Sequence, residues 1–254
     1  MAESLMTHMV AYYPDRERSL ELARAFVDGG ASYLEIQFPF SDPSVDGPVI
    51  QSACNRALEA GFRVDDGFSL VREISRFAAR PIFVMSYASL VFARGVGHFI
   101  RDVRNAGAYG VIIPDLPIGH DEGLFDHGEA NGIEVAAVIS PTVSEKRLAA
   151  ICGRKGRYLY ASIRTGITGS VTTIDEKSLS FLKRIGTSGK RILAGFGVGT
   201  HNQVKLIAPH VHAVVVGTAL IRCIDEAGSG PLYTRLKSKV EELADAPGAG
   251  APGT

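Results

Sequence analysis

Eight short apolar runs, each followed by a segment with helical spacing, constrain this 254-residue chain more than any other feature. The runs begin at Met6 (to Tyr12), Tyr33 (to Gln37), Pro81 (to Tyr87), Gly110 (GVIIPDLP), Ile133 (to Pro141), Arg157 (RYLYASIRTGITG), Arg191 (RILAGFGVG) and Val211 (VHAVVVGTALI). Helical spacing is read over Arg16 to Gly29, Asp66 to Ala79, Val96 to Ala106, His120 to Asn131, Ser144 to Cys152 with Ser144 as N-cap, and Asp175 to Ile185. A short helix from Thr200 and a closing helix over Leu232 to Leu243 complete the set. Strict alternation of strand and helix requires parallel strands, in a closed barrel or a doubly wound sheet. The unusual residues decide between the two. Glu35, Asp46, Tyr87, Asp115, Tyr160, the Gly166 loop, Gly195-Phe196-Gly197 and Gly217-Thr218 fall at or after successive strand ends, where a barrel builds its site, whereas an open sheet gathers them at one switch point. The length also fits one α/β barrel of ~250 residues. Residues 1–246 are therefore expected to form a single (β/α)8 barrel, with 247–254 (PGAGAPGT) a disordered tail.

Composition removes several classes of function. The 27 basic residues balance 27 acidic ones, which argues against a nucleic-acid or membrane surface. No stretch approaches the ~20 apolar residues of a membrane span, and the first residues lack a signal-peptide pattern, so a cytoplasmic location is expected. Cys54, Cys152 and Cys223 are widely spaced and read as small buried hydrophobes. His210 and His212 are placed on one side of a strand with no third ligand at metal spacing, so no metal is expected.

The stretch Tyr33 to Gln51, YLEIQFPFSDPSVDGPVIQ, carries the chemistry. Glu35 stands inside an apolar strand, where a carboxylate is costly unless it is neutral, hydrogen-bonded or facing a cleft. Asp46 follows on the loop leaving the same strand, and Pro39, Pro43 and Pro48 stiffen that loop, so both carboxylates can be held at one pocket. A second cluster suits an anion. Strand seven ends in Gly195-Phe196-Gly197 and strand eight in Gly217-Thr218 before a helix start, while strand six adds Thr165-Gly166-Ile167-Thr168-Gly169. Glycines admit phosphate oxygens to backbone N–H groups, and a helix N-terminus adds a favourable dipole. The run from Gly195 to Gly199 is not a dinucleotide fingerprint, because Thr200 stands where its third glycine is required.

The string LE-x-x-F-PFSDP-x-x-DGP-x-IQ resembles the signature of the tryptophan synthase α-subunit family, and the likeness continues through most of the chain. The resemblance implies a TIM barrel that cleaves indole-3-glycerol phosphate, by a retro-aldol step, to indole and glyceraldehyde 3-phosphate without metal or organic cofactor. It makes Glu35 the acid and base, and Asp46 the carboxylate that stabilises the cationic indolenine. It places Met85, Ile112, Val138, Tyr160 and Phe196 around the indole, although on residue type alone Tyr160 and Phe196 read as core. It assigns phosphate binding to Gly169, Gly197, Gly217 and Thr218, and makes Thr168 the mobile-loop contact of Asp46. It further implies an α2β2 complex with a tryptophan synthase β-subunit, docked on the rim formed by Asp42, Pro43, Asp115 and Pro117.

The chain departs from the family pattern in places. It starts almost at strand one, without most of the family's leading helix; Val10-Ala11-Tyr12-Tyr13-Pro14 replaces T-A-G-D-P, and His8 aligns with an aromatic pocket position. Gln37 stands where glycine is common and Ser89 where asparagine is common. The departures in strand one and the missing leading helix keep open a catalytically weak subunit that activates a β-partner, and a stand-alone indole-3-glycerol phosphate lyase stays open because it would share the same catalytic residues. Indole release with and without the β-subunit separates them.

Overall fold

Strands buried on both faces need near-continuous apolar sequence, and the chain supplies it eight times. The computed structural model describes residues 4–163, 174–195, 197–227 and 230–244. Its strands are β1 (Leu5–Val10), β2 (Tyr33–Gln37), β3 (Ile82–Met85), β4 (Gly110–Ile112), β5 (Glu134–Ile139), β6 (Tyr158–Ser162), β7 (Arg191–Gly195) and β8 (Ala213–Val216). All neighbours pair in parallel and β8 returns to β1, closing the barrel. The expected barrel is therefore the observed fold. The alternation of strand and helix is realised in order, and the tail at 247–254 lies outside the described residues.

Helices α1 (Arg16–Asp28), α3 (Val64–Ser75), α5 (Val96–Asn105), α6 (Leu124–Asn131), α7 (Glu145–Cys152), α8 (Glu176–Gly186), α9 (His201–Ile207) and α11 (Leu232–Ala244) answer to the periodic segments. Capping sets several of their starts: the side chains of Asp15, Ser144, Asp175 and Thr200 each accept a backbone N–H from the first turn. Two further helices were not expected from the sequence, α2 (Pro48–Glu59) and α4 (Ala88–Arg94). Pro48 reads as a loop residue, but it occupies the first turn of α2, where its missing N–H costs nothing. β8 ends at Val216, and the helix expected after Thr218 begins at Thr218 itself, as α10 (Thr218–Ala227).

Several strands also end earlier than their apolar runs. β1 stops at Val10, and Tyr12 takes a left-handed conformation with φ 65°. β4 stops at Ile112, just before Pro114, which has no N–H to donate. His210 ends a short 3-10 helix, so it and His212 precede β8 rather than face one side of it.

Because side chains alternate along a strand, Tyr33, Glu35 and Gln37 of β2 share one face, as do Tyr158 and Tyr160 of β6. That face is the barrel interior. Met6, Tyr33, Phe83, Tyr158 and Leu193 pack together inside it, while Leu34, Ile36, Leu159 and Ala161 pack against the helices. The chain thus reaches the upper interior with whatever lies two residues beyond its lower interior layer.

Candidate active site

Glu35 lies at the centre of β2, not at its end, and is 2% exposed. The β1–β2 register sets His8 directly beside it. His8 Nδ1 is 3.4 Å from Glu35 Oε2, and the Tyr160 hydroxyl donates to the same oxygen at 3.2 Å. Burial alone lowers the His8 pKa, but the Glu35 charge and hydrogen bond, with a smaller contribution from Asp46, outweigh it and hold the imidazole above its ordinary value. Tyr160 is held well above the usual phenol value, first by burial and then by the Glu35 charge.

Asp46 approaches from the loop between β2 and α2. Its N–H donates to the Pro43 carbonyl at 3.0 Å, and its own carbonyl accepts from Gln51 Nε2 at 2.8 Å, so the turn is tied on both sides. Asp46 Oδ2 accepts from Gln37 Nε2 at 2.7 Å and from the Tyr87 hydroxyl at 2.8 Å. Burial raises the Asp46 pKa, and His8, Tyr87 and Gln37 offset part of that rise by favouring the ionised form. The Asp46 charge, added to burial, also pushes the neighbouring Cys54 thiol up to about 12, which keeps it a protonated, inert packing group.

One cavity joins the two carboxylates. Met85, Ile112, Val138 and Tyr160 line it, together with Val45, Ile50, Pro114 and Val215. Phe196, Thr168 and Gly169 lie outside the described residues. At its far side stand Gly197, Gly217 and Thr218. Gly217 precedes α10 and its carbonyl accepts from Leu220 and Ile221, so the first N–H groups of that helix open beside the cavity. Gly197 has φ 78°, and a Cβ at Gly217 would meet the His8 ring at 3.3 Å.

Sequence reasoning missed three participants. His8 is noted there as an aligned pocket position but not as a partner of Glu35; Gln37 and Tyr87 are not recognised as holding Asp46. The available signal was the alternation that turns Gln37 to the same face as Glu35, and a histidine inside an otherwise buried first strand.

The rim residues divide. Asp42 is exposed and accepts from the Ser41 hydroxyl, whereas Pro43 is buried. Asp115 and Pro117 are exposed, and Asp115 Oδ1 accepts from the Ala88 N–H at 2.9 Å, which ties the loop after β4 to the start of α4. Among the described residues no group of three or more His, Cys, Asp or Glu side chains could hold a metal ion. No helix among them is long and apolar enough to cross a membrane.

Comparison with known proteins converges on one family. The family described as "Tryptophan synthase alpha chain" matches residues 1–247. The tryptophan synthase alpha chain of Helicobacter hepaticus is 38% identical over 229 residues, covering 87% of this chain and 86% of that one. That of Methanosarcina barkeri is 34% identical, with 94% and 90% covered. In three dimensions the chain is similar to the Pyrococcus furiosus tryptophan synthase α-subunit, with a TM-score of 0.86 at 30% identity and 96% and 99% of the two chains covered. A Mycobacterium tuberculosis tryptophan synthase structure gives 0.86 at 30% identity, with 96% and 92% covered. A closed parallel barrel, two buried carboxylates on one cavity and a match over nearly the whole length agree, and the chain belongs to the tryptophan synthase α-chain family, lyases that cleave indole-3-glycerol phosphate.

Proposed function

We propose that Glu35 protonates the indole ring of indole-3-glycerol phosphate and that ionised Asp46 stabilises the cationic indolenine formed. The observation that carries this reading is the shared cavity: Glu35 on one wall, Asp46 on another, apolar side chains between them, and the Gly217-Thr218 start of α10 at the end suited to phosphate. Protonation at C3 weakens the bond to the glycerol carbon; loss of the side-chain hydroxyl proton then expels indole and leaves glyceraldehyde 3-phosphate. The carboxyl groups differ in their partners, as an acid and an electrostatic stabiliser must. The chemistry needs no metal or organic cofactor, and Thr168 and Gly169 belong to this reading as the mobile-loop and phosphate contacts.

Glu35→Gln keeps the shape but cannot donate a proton, so kcat for indole release should fall by about 10²–10⁴ with KM little changed. Near-normal turnover would remove Glu35 from the acid role.

The family also supports a β-subunit partner, in an α2β2 complex in the cytosol, and we place its docking surface on the rim. Asp42, Asp115 and Pro117 are exposed on the side of the barrel from which indole leaves, while Pro43 acts from beneath by holding the Asp42 loop. Asp42→Ala should weaken β-subunit binding in titration calorimetry by about 0.5–1 kcal/mol, the size of a rim contact, and spare the basal lyase rate. Equal affinity of variant and parent moves the interface away from this loop.

A further inference from the structure

His8 stands apart from the other side chains around the cavity. It is 5% exposed, its Nδ1 faces Glu35, and its Nε2 is a buried nitrogen with no hydrogen-bond partner among the described residues. A buried polar atom left unpaired is costly, and such atoms persist where a ligand or a reaction uses them. The ring borders the same cavity as Gly217 and Thr218, with Gly217 against its face. His8 therefore sits on the cavity wall between Glu35 and Gly217, the residues read above as the acid and the phosphate end.

We propose that His8 is the base that removes the glycerol hydroxyl proton, acting through Nε2 while Glu35 delivers its proton to the indole ring. This inference rests on the reading of Glu35 as the acid. Both the His8 and Tyr160 contacts fall on Glu35 Oε2, which leaves Oε1 to carry the transferred proton. The reacting tautomer has Nδ1–H directed at Oε2 and a lone pair on Nε2. The Oε1 proton forms the new C3–H bond; Nε2 then accepts the hydroxyl proton, the oxygen electrons form the aldehyde C=O, and the breaking C–C pair returns to the ring. Glu35 ends as carboxylate and His8 as imidazolium, an ion pair. As products leave, His8 gives the Nε2 proton to water and Glu35 takes one back, so the cycle closes without net proton change.

The titrating groups around this pair are Tyr160 from β6, Asp46 from the loop after β2 and Tyr87 from the end of β3. A base must be neutral, so protonation of His8 should define the acidic limb of the kcat profile.

The test compares His8→Phe, which keeps a ring without nitrogens, with His8→Asn, whose amide can still donate to Glu35 but places nothing at the Nε2 position. Glycerol 3-phosphate binding, by calorimetry, reports an intact phosphate end. Both variants should lose about 10²-fold or more in kcat, bind glycerol 3-phosphate within threefold of the parent, and shift the acidic limb to lower pH. Restored turnover in His8→Asn, or an unmoved acidic limb, assigns His8 to holding Glu35 alone and overturns the proposal. If either substitution disrupts folding, nitrogen NMR of the unmodified protein decides: His8 must become neutral across the pH range in which kcat rises, and an imidazolium throughout that range overturns it. Failure of the underlying reading is separate, because it appears as activity surviving in Glu35→Gln.

Discussion

The two ends of the barrel interior are built from the same strands and treat their polar groups in opposite ways. At the lower end Tyr33, Phe83, Tyr109 and Tyr158 form a ring cluster, edge-to-face except for the tilted Tyr33–Phe83 pair. The Tyr33 hydroxyl meets His212 Nε2 at 2.8 Å, Arg191 donates to Tyr158 at 3.1 Å, and Arg157 donates to Tyr109 at 2.6 Å. Every one of these hydroxyls has a partner. Two residues further along β2 and β6, Glu35 and Tyr160 enter a region where His8 Nε2 and Gln37 Oε1 have none among the described residues. The lower end satisfies its polar atoms and serves stability; the upper end leaves some unsatisfied, where the proposed chemistry takes place.

Substitutions that act on one end should separate activity from stability. The largest effect beyond Glu35 belongs to Asp46→Asn, which should lower kcat by about 10²–10³ through loss of the charge facing the cation. The same variant should be more stable. A carboxyl whose pKa is raised on folding binds its proton more tightly in the folded state, so its ionised form works against folding at neutral pH. Removing that charge should raise Tm at pH 7 by about 2–4 °C for each ~1 kcal/mol relieved. The gain should shrink as pH falls and the parent Asp46 takes up its proton. A lower Tm at pH 7 would show that the bonds from Gln37 and Tyr87 outweigh the burial cost.

A smaller change is expected for Tyr160→Phe, which deletes the 3.2 Å donor to Glu35 and keeps the ring. Turnover should fall by about 10-fold, the worth of one hydrogen bond of ~1.4 kcal/mol at the acid. An unchanged kcat would leave the orientation of Glu35 to His8 alone.

The smallest effect on activity should come from the lower end. Tyr33→Phe removes the bond to His212 and the 3.5 Å contact with the Tyr158 hydroxyl, at a cost of ~1–2 kcal/mol measured by urea unfolding. Its kcat per folded molecule should equal that of the parent. A loss of turnover without loss of stability would mean that the two ends are coupled, against the division drawn above.

The alternation of strands and helices, the barrel, Glu35, Asp46 and most of the apolar cavity wall were legible because they are local or periodic. A run such as Tyr33–Gln37 announces its strand and its inward face at once. Helix α2 was hidden because Pro48 signals a loop and a first helical turn equally well. Helix α4 is only seven residues long, and its start is tied by Asp115, which stands 27 positions beyond Ala88.

What the sequence by itself determined was therefore the set of elements, their order and the residue types available to the site. Which of those residues meet was decided by the tertiary structure. The parallel register of β1 on β2 brings His8 to Glu35 across 27 residues of sequence, and barrel closure brings Tyr160 to the same oxygen across 125. The turn after β2 folds Asp46 back onto Gln37 and Tyr87. A one-residue slip in register would turn every one of these side chains to the opposite face, and nothing local to His8 specifies that register. It is set by closure of the whole barrel, in which every strand must pair with both of its neighbours while keeping one face to the interior and the other to the helices.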